Sequence, residues 1–190
     1  MKFWISCVTV IALIVSIPAV ANAEYITGQN VTADYRFPDL STNYLAAGGP
    51  FTAPVGPGVE FAFFPGFNNP TLDVSATEIL ITFPLGFTLD PSDNLFDGYV
   101  VTSTSPVIPD ITGVSLLGTN IQGVVGLSFD QRNVYIDQDT LVNAFQSGAF
   151  IRVGVQFAQE VPEPASIALW SMLSVAGLAA WRRRKSAVAA

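Results

Sequence analysis

Phe150-Ile151-Arg152-Val153-Gly154-Val155-Gln156-Phe157 is the stretch that decides the fold. Apolar side chains recur at every second position, the period of a half-buried strand rather than of a helix. Ile151, Val153, Val155 and Phe157 share one face, so that face is expected to point inward. The same pattern recurs toward the N-terminus. Asn133 to Ile136 and Val124 to Phe129 flank a turn at Asp130-Gln131-Arg132. Ile111 to Leu117 and the β-branched run Tyr99 to Thr104 precede them, the latter closed by Ser105-Pro106.

Earlier still, Glu78 to Phe83 places Ile79, Ile81 and Phe83 on one face, and Thr71 to Ala76 is a further strand. Val59 to Phe64 ends at Pro65-Gly66. Val31 to Phe37 puts Val31, Ala33, Tyr35 and Phe37 on one side before Pro38-Asp39 turns the chain. Leu40 to Gly58 reads as a loop, punctuated by Gly48-Gly49-Pro50 and Gly56-Pro57-Gly58. Only Asp139 to Phe145 suggests a short helix, capped by Asp139 or Thr140, with Gly148 just beyond its end. The expected class is all-β: an antiparallel β-sandwich of eight to ten short strands, burying the phenylalanines other than Phe3 between its sheets. No internal repeat is visible.

Both ends of the chain read as targeting segments. Lys2 is a positive n-region and Phe3 to Val15 an apolar h-region. Ser16-Ile17-Pro18 breaks the helix, and Ala21-Asn22-Ala23 is an A-x-A cleavage site. Signal peptidase is expected to cut after Ala23, leaving Glu24 first, so residues 1–23 form a signal peptide. At the other end, residues 165–181 carry no charge. As a helix they span roughly 25 Å at about 1.5 Å per residue. That is slightly short of a bilayer core of about 30 Å, within reach with thinning and an interfacial Trp181. Arg182, Arg183, Arg184 and Lys185 follow and would hold the far end of residues 182–190 in the cytoplasm as a stop-transfer signal.

Val161-Pro162-Glu163-Pro164, the short apolar helix and the arginine cluster, in that order at the C-terminus, resemble the PEP-CTERM sorting signal of Gram-negative bacteria. The resemblance covers residues 161–190. It implies an exosortase, a membrane-embedded cysteine transpeptidase or protease, cutting near Val161 to Pro164 and passing the body to the outer surface. That usually occurs in cells that make exopolysaccharide and biofilm matrix. Val161 to Pro164 is then a site acted upon. The body also resembles a recurring, uncharacterised domain of PEP-CTERM proteins, through Val31 to Leu40, Ile81-Thr82-Phe83-Pro84, Leu127 to Asp130 and Asn133 to Ile136. This second likeness implies a compact extracellular β domain and no named activity.

The body, residues 24–160, retains Arg36, Arg132 and Arg152 as its only cations, against fourteen of the chain's 15 carboxylates; three minus fourteen leaves a formal charge of −11. It holds no lysine, histidine, cysteine or tryptophan. A Ser-His-Asp triad, a thiol nucleophile and zinc or copper sites of imidazole and thiolate are therefore excluded. The negative field opposes nucleic acid and anionic lipid. Carboxylates, hydroxyls, amides and aromatics remain, which suit calcium, sugars and protein surfaces.

Three constellations carry the remaining chemistry. Asp90, Asp93 and Asp97, with Asn94 among them, form an oxygen-rich loop of the sort that holds calcium, though Asp90 to Asn94 is also an ordinary turn sequence. Asp130, Asp137 and Asp139 form a second group. Asp137 and Asp139 are expected on one strand face about 7 Å apart, where an acidic rim competes with a calcium site. Facing carboxylates beside a groove would suit sugar hydrolysis. Fourteen acids supply such spacings by chance, so no catalytic residue is assigned and the chain is not expected to be an enzyme. Phe61, Phe63, Phe64 and Phe67 are read as core rather than as a sugar platform. No cofactor is expected beyond the possible Ca2+. The reading is an exported, structural or adhesive surface protein, with exosortase, signal peptidase, exopolysaccharide or other envelope proteins as partners. The alternative is a small carbohydrate-binding module or carboxylate-based glycosidase.

Overall fold

The structure, a computed structural model, describes residues 26–64, 69–88, 94–141, 144–158 and 170–174. The chain divides into two compact units, Met1–Ala158 and Gln159–Ala190. The first is all-β. Its strands are β1 (Asn30–Arg36), β2 (Phe51–Pro54), β3 (Phe61–Ala62), β4 (Thr71–Val74), β5 (Glu78–Phe83), β6 (Phe87–Thr88), β7 (Gly98–Ser103), β8 (Ile111–Thr119), β9 (Gly126–Phe129), β10 (Asn133–Asp137), β11 (Ala144–Phe145) and β12 (Ala149–Phe157). They form a five-stranded sheet of order β2-β1-β7-β10-β9, another of order β3-β4-β5-β12-β8, and the small pair β11-β6. Every pairing is antiparallel.

The alternation of β12 is what the sheet uses. Ile151 and Val153 are wholly buried and stand opposite Ile81 and Ile79 of β5, whereas Arg152 is exposed. From the facing sheet come Val31, Ala33 and Tyr35 of β1, Tyr99 and Val101 of β7, and Val134 and Ile136 of β10. Truncating one of these wholly buried aliphatics to alanine would cost about 2–5 kcal/mol, since a close-packed core collapses only partly. Ring contacts stitch the layers together: Phe63, just after β3, meets Tyr99 edge-on with centroids 5.1 Å apart. A cavity of about 20 Å³ lies between the sheets, lined by Val31, Val101, Val74, Ile79, Ile26 and Phe157 among others. Ile26 and Phe157 share it, so the chain enters and leaves the sandwich at the same end.

Several expectations are corrected. The expected loop at Leu40 to Gly58 contains β2, an edge strand on β1, and a 3-10 turn at Leu45–Ala47. The expected helix at Asp139 to Phe145 does not form in its described part. Asp139 and Thr140 turn, Leu141 bridges to Gly123, and Ala144–Phe145 pairs with β6. Asp139 is therefore no helix cap. It also lies beyond the end of β10, off the strand face expected for it with Asp137. The two five-stranded sheets hold ten strands among the described residues, within the expected eight to ten, and the two-residue strands β6 and β11 form a separate small pair. The phenylalanines are not all buried: Phe129 is 42% exposed and Phe37, Phe51, Phe64 and Phe157 are only partly covered.

In the second unit residues 170–174 are helical, and Ser174 Oγ donates to the Trp170 carbonyl at 2.7 Å. Among the described residues no helix is long and apolar enough to cross a membrane. Most of the expected span 165–181 lies outside them, as do the signal peptide with Ala21, Ala23 and Glu24, the motif Val161 to Pro164, and Arg182 to Lys185.

Candidate functional site

Asp97, Asp137 and Asp139 meet at the end of the sandwich opposite the cavity. Sheet register brings them there. Gly98 stands opposite both Arg36 of β1 and Asp137 of β10. A Cβ on Gly98 would lie 2.0 Å from the Ile136 carbonyl oxygen, and one on Gly126 would lie 2.9 Å from Asp137 Cβ. Glycine on both flanking strands thus lets the backbones close around Asp137.

Asp137 uses its carboxylate as a backbone clamp. Its Oδ1 accepts the Asp97 amide at 3.2 Å and the Asp139 amide at 3.1 Å. The Gln138 amide donates to the Asp97 carbonyl at 2.7 Å, extending the ladder one step past β10. Asp97 itself is buried and accepts the Tyr35 hydroxyl at 2.5 Å. Burial pushes the Asp97 carboxyl above the usual range. The Tyr35 hydrogen bond works against that rise, and the charges of Asp139 and Asp137 add to it. Burial and the nearby Asp97 charge likewise push the Tyr35 and Tyr99 hydroxyls up.

Asp130 belongs elsewhere. It sits on the exposed turn between β9 and β10, and its carboxylate receives the amides of Arg132 and Asn133, the Asn133 side chain and the Tyr135 hydroxyl. Slight burial would raise its pKa, but the hydrogen bonds from Asn133, Arg132 and Tyr135 hold it down to about 2. The six acids expected as calcium ligands therefore do not converge as one group. Asp97, Asp137 and Asp139 come together, Asp130 is spent in its turn, and Asp90 and Asp93 lie outside the described residues. Among the described residues no group of three or more Asp, Glu, His or Cys side chains is arranged to hold a metal ion.

Sequence reasoning missed two polar groups. Asp34 is buried on the outer face of β1, where Arg36 Nε reaches its Oδ2 at 3.3 Å. Gln138 is wholly buried, with both side-chain amide atoms lacking a hydrogen-bond partner. The alternation of Val134 and Ile136 continued one step past β10 would have placed Gln138 inward. The Phe cluster is core where it is described: Phe61 and Phe63 are buried, Phe64 packs against the core with its ring edge-on to Tyr35 at a positive φ of 54°, and Phe67 lies outside the described residues. The described carboxylates thus clamp backbone, pair with arginine or face one another. Chemically they brace loops. Comparison with known proteins finds no matching family model, curated protein or solved structure.

Proposed function

We propose that this is an exported surface or matrix protein whose body is a rigid acidic β domain, delivered through its C-terminal tail by an exosortase. The observation that carries the reading is the ordered tail: Val161 to Pro164, an uncharged segment over 165–181, and Arg182 to Lys185. What supports it from the fold is the position of the boundary. The compact unit ends at Ala158, three residues before Val161, so a cut at the motif would release the sandwich whole. The role of the body is structural or adhesive, within an exopolysaccharide matrix or against envelope proteins. Its tight turns and internally satisfied carboxylates suit a domain that holds its shape.

The test is intact mass and fractionation of the protein from its native cells. A species running from Glu24 to the neighbourhood of Pro162 to Pro164, found in the matrix or the medium, is the expected result. A species that keeps Arg182 to Lys185 and sediments with membranes would sink the processing step.

A further inference from the structure

We propose that β8 is a self-association edge, through which two copies of this chain pair antiparallel and join their sheets into one. The two five-stranded sheets have four edge strands, β2, β9, β3 and β8. β3 has two residues, and β2 and β9 have four each, β2 ending in Pro54. Such short or proline-bearing strands are poor templates for another chain. β8 has nine residues, Ile111–Thr119, and among the described strands pairs only with β12, while at its start the Ile111 amide donates to the Gln131 carbonyl at 3.0 Å. It contains neither charge nor proline. Leu116 and Leu117 are 43% and 54% exposed, and Phe129, at the end of the adjacent edge strand β9, is 42% exposed. Leu116 stands opposite the buried Val153, and a bulge leaves the next residue, Leu117, without a partner on β12, its side chain over Gly154 on the outer face.

Charge selects the occupant. A body of charge −11 repels its own copy wherever carboxylates would face each other. Along β8 that repulsion is absent. The one charge opposite it on β12, Arg152, is held by both carboxylate oxygens of Glu78 at 2.8 Å, and Asp110, just before the strand, pairs with Arg132 at 3.4 Å. A two-fold axis through Ser115, the middle residue, would set Val114 of one copy opposite Leu116 of the other, a self-complementary apolar pairing.

The test uses the full chain with Cys7, its only cysteine, replaced by serine. Ser115→Cys, expressed in the native cells and mildly oxidised, should give a disulfide-linked species of doubled mass. Thr52→Cys, on the opposite edge at β2, should stay single. Ser115 is exposed, so Ser115→Asp should halve the mass of the purified chain in sedimentation while its circular dichroism spectrum stays that of the folded parent. A Ser115→Cys chain that stays single, or links to a different protein, overturns the proposal. So does equal linking by Thr52→Cys, or a dimer that survives Ser115→Asp.

Discussion

Tyr35 donates its hydroxyl to Asp97 Oδ1 at 2.5 Å, joining β1 to the entry of β7 across 62 residues of sequence. The pair is buried, so each partner depends on the other. Removing the donor leaves a buried carboxylate short of a hydrogen bond, and Tyr35→Phe should destabilise the body by about 1–3 kcal/mol. Urea unfolding followed by circular dichroism reads this directly. A loss below about 0.5 kcal/mol would mean that water replaces the hydroxyl.

The same carboxyl sets a pH dependence. Its pKa is raised in the folded state, so the folded chain holds a proton that the unfolded chain releases as pH climbs above about 4. Stability from this group is therefore present at low pH and falls as pH rises through the folded pKa. Asp97→Asn removes that slope. The unfolding free energy of the variant relative to the parent should rise with pH above about 4 and then level off. A difference that stays flat from acid to neutral pH would contradict the burial of an ionisable Asp97.

Asp130 should behave in the opposite sense. Its pKa is held down to about 2 by donors from Asn133, Arg132 and Tyr135, so the unfolded chain takes up the proton first on acidification. The turn's contribution is complete above about pH 4 and is lost between about 4 and 2. The residue is exposed, and solvent screening limits the effect of Asp130→Ala to about 1 kcal/mol. Acid titration of parent and variant by circular dichroism should show the two curves converging below about pH 2.

What the sequence disclosed follows from where each signal is stored. β5 and β12 are paired on both sides, and the buried Ile79, Ile81 and Phe83 of one and Ile151, Val153 and Val155 of the other recur at every second position, so these inward faces could be read residue by residue. β2 could not be read that way. Its four residues are all half-buried or exposed, and glycines and prolines surround it, because an edge strand needs only one neighbour. The helix expected from Asp139 gave way to tertiary contacts. Leu141 is taken by Gly123, and Phe145 packs on Phe83 with centroids 4.9 Å apart. Asp130 announced its turn locally, through donors two to five residues away. The meeting of Tyr35 with Asp97 had no local trace, since only the pairing of β1 with β7 creates it.

Gln138 offers a gain rather than a loss. Both atoms of its amide are buried without a partner, so folding strips their water and returns nothing. Methionine has nearly the same length and no such groups. Gln138→Met should stabilise the body by about 1–2 kcal/mol, seen as a higher urea midpoint at unchanged m-value. A destabilised variant would show that the amide is hydrogen-bonded in solution, by water or by a neighbouring group.

Gly98 should tolerate no side chain. It lies in β7, between Arg36 of β1 and Asp137 of β10, and the obstacle to a Cβ is the Ile136 carbonyl oxygen at 2.0 Å. That oxygen is backbone in a central strand, so no rotamer change relieves the clash and β7 must part from β10. Gly98→Ala should cost more than about 3 kcal/mol, as expected for overpacking that displaces a strand. Gly28→Ala is the informative comparison. That residue has a positive φ of 78° but nothing within 4 Å of a Cβ, so its cost is confined to backbone strain of about 1 kcal/mol. Thermal melts of the two variants should therefore separate widely. Equal losses would mean that local backbone conformation, rather than strand spacing, is what glycine supplies at position 98.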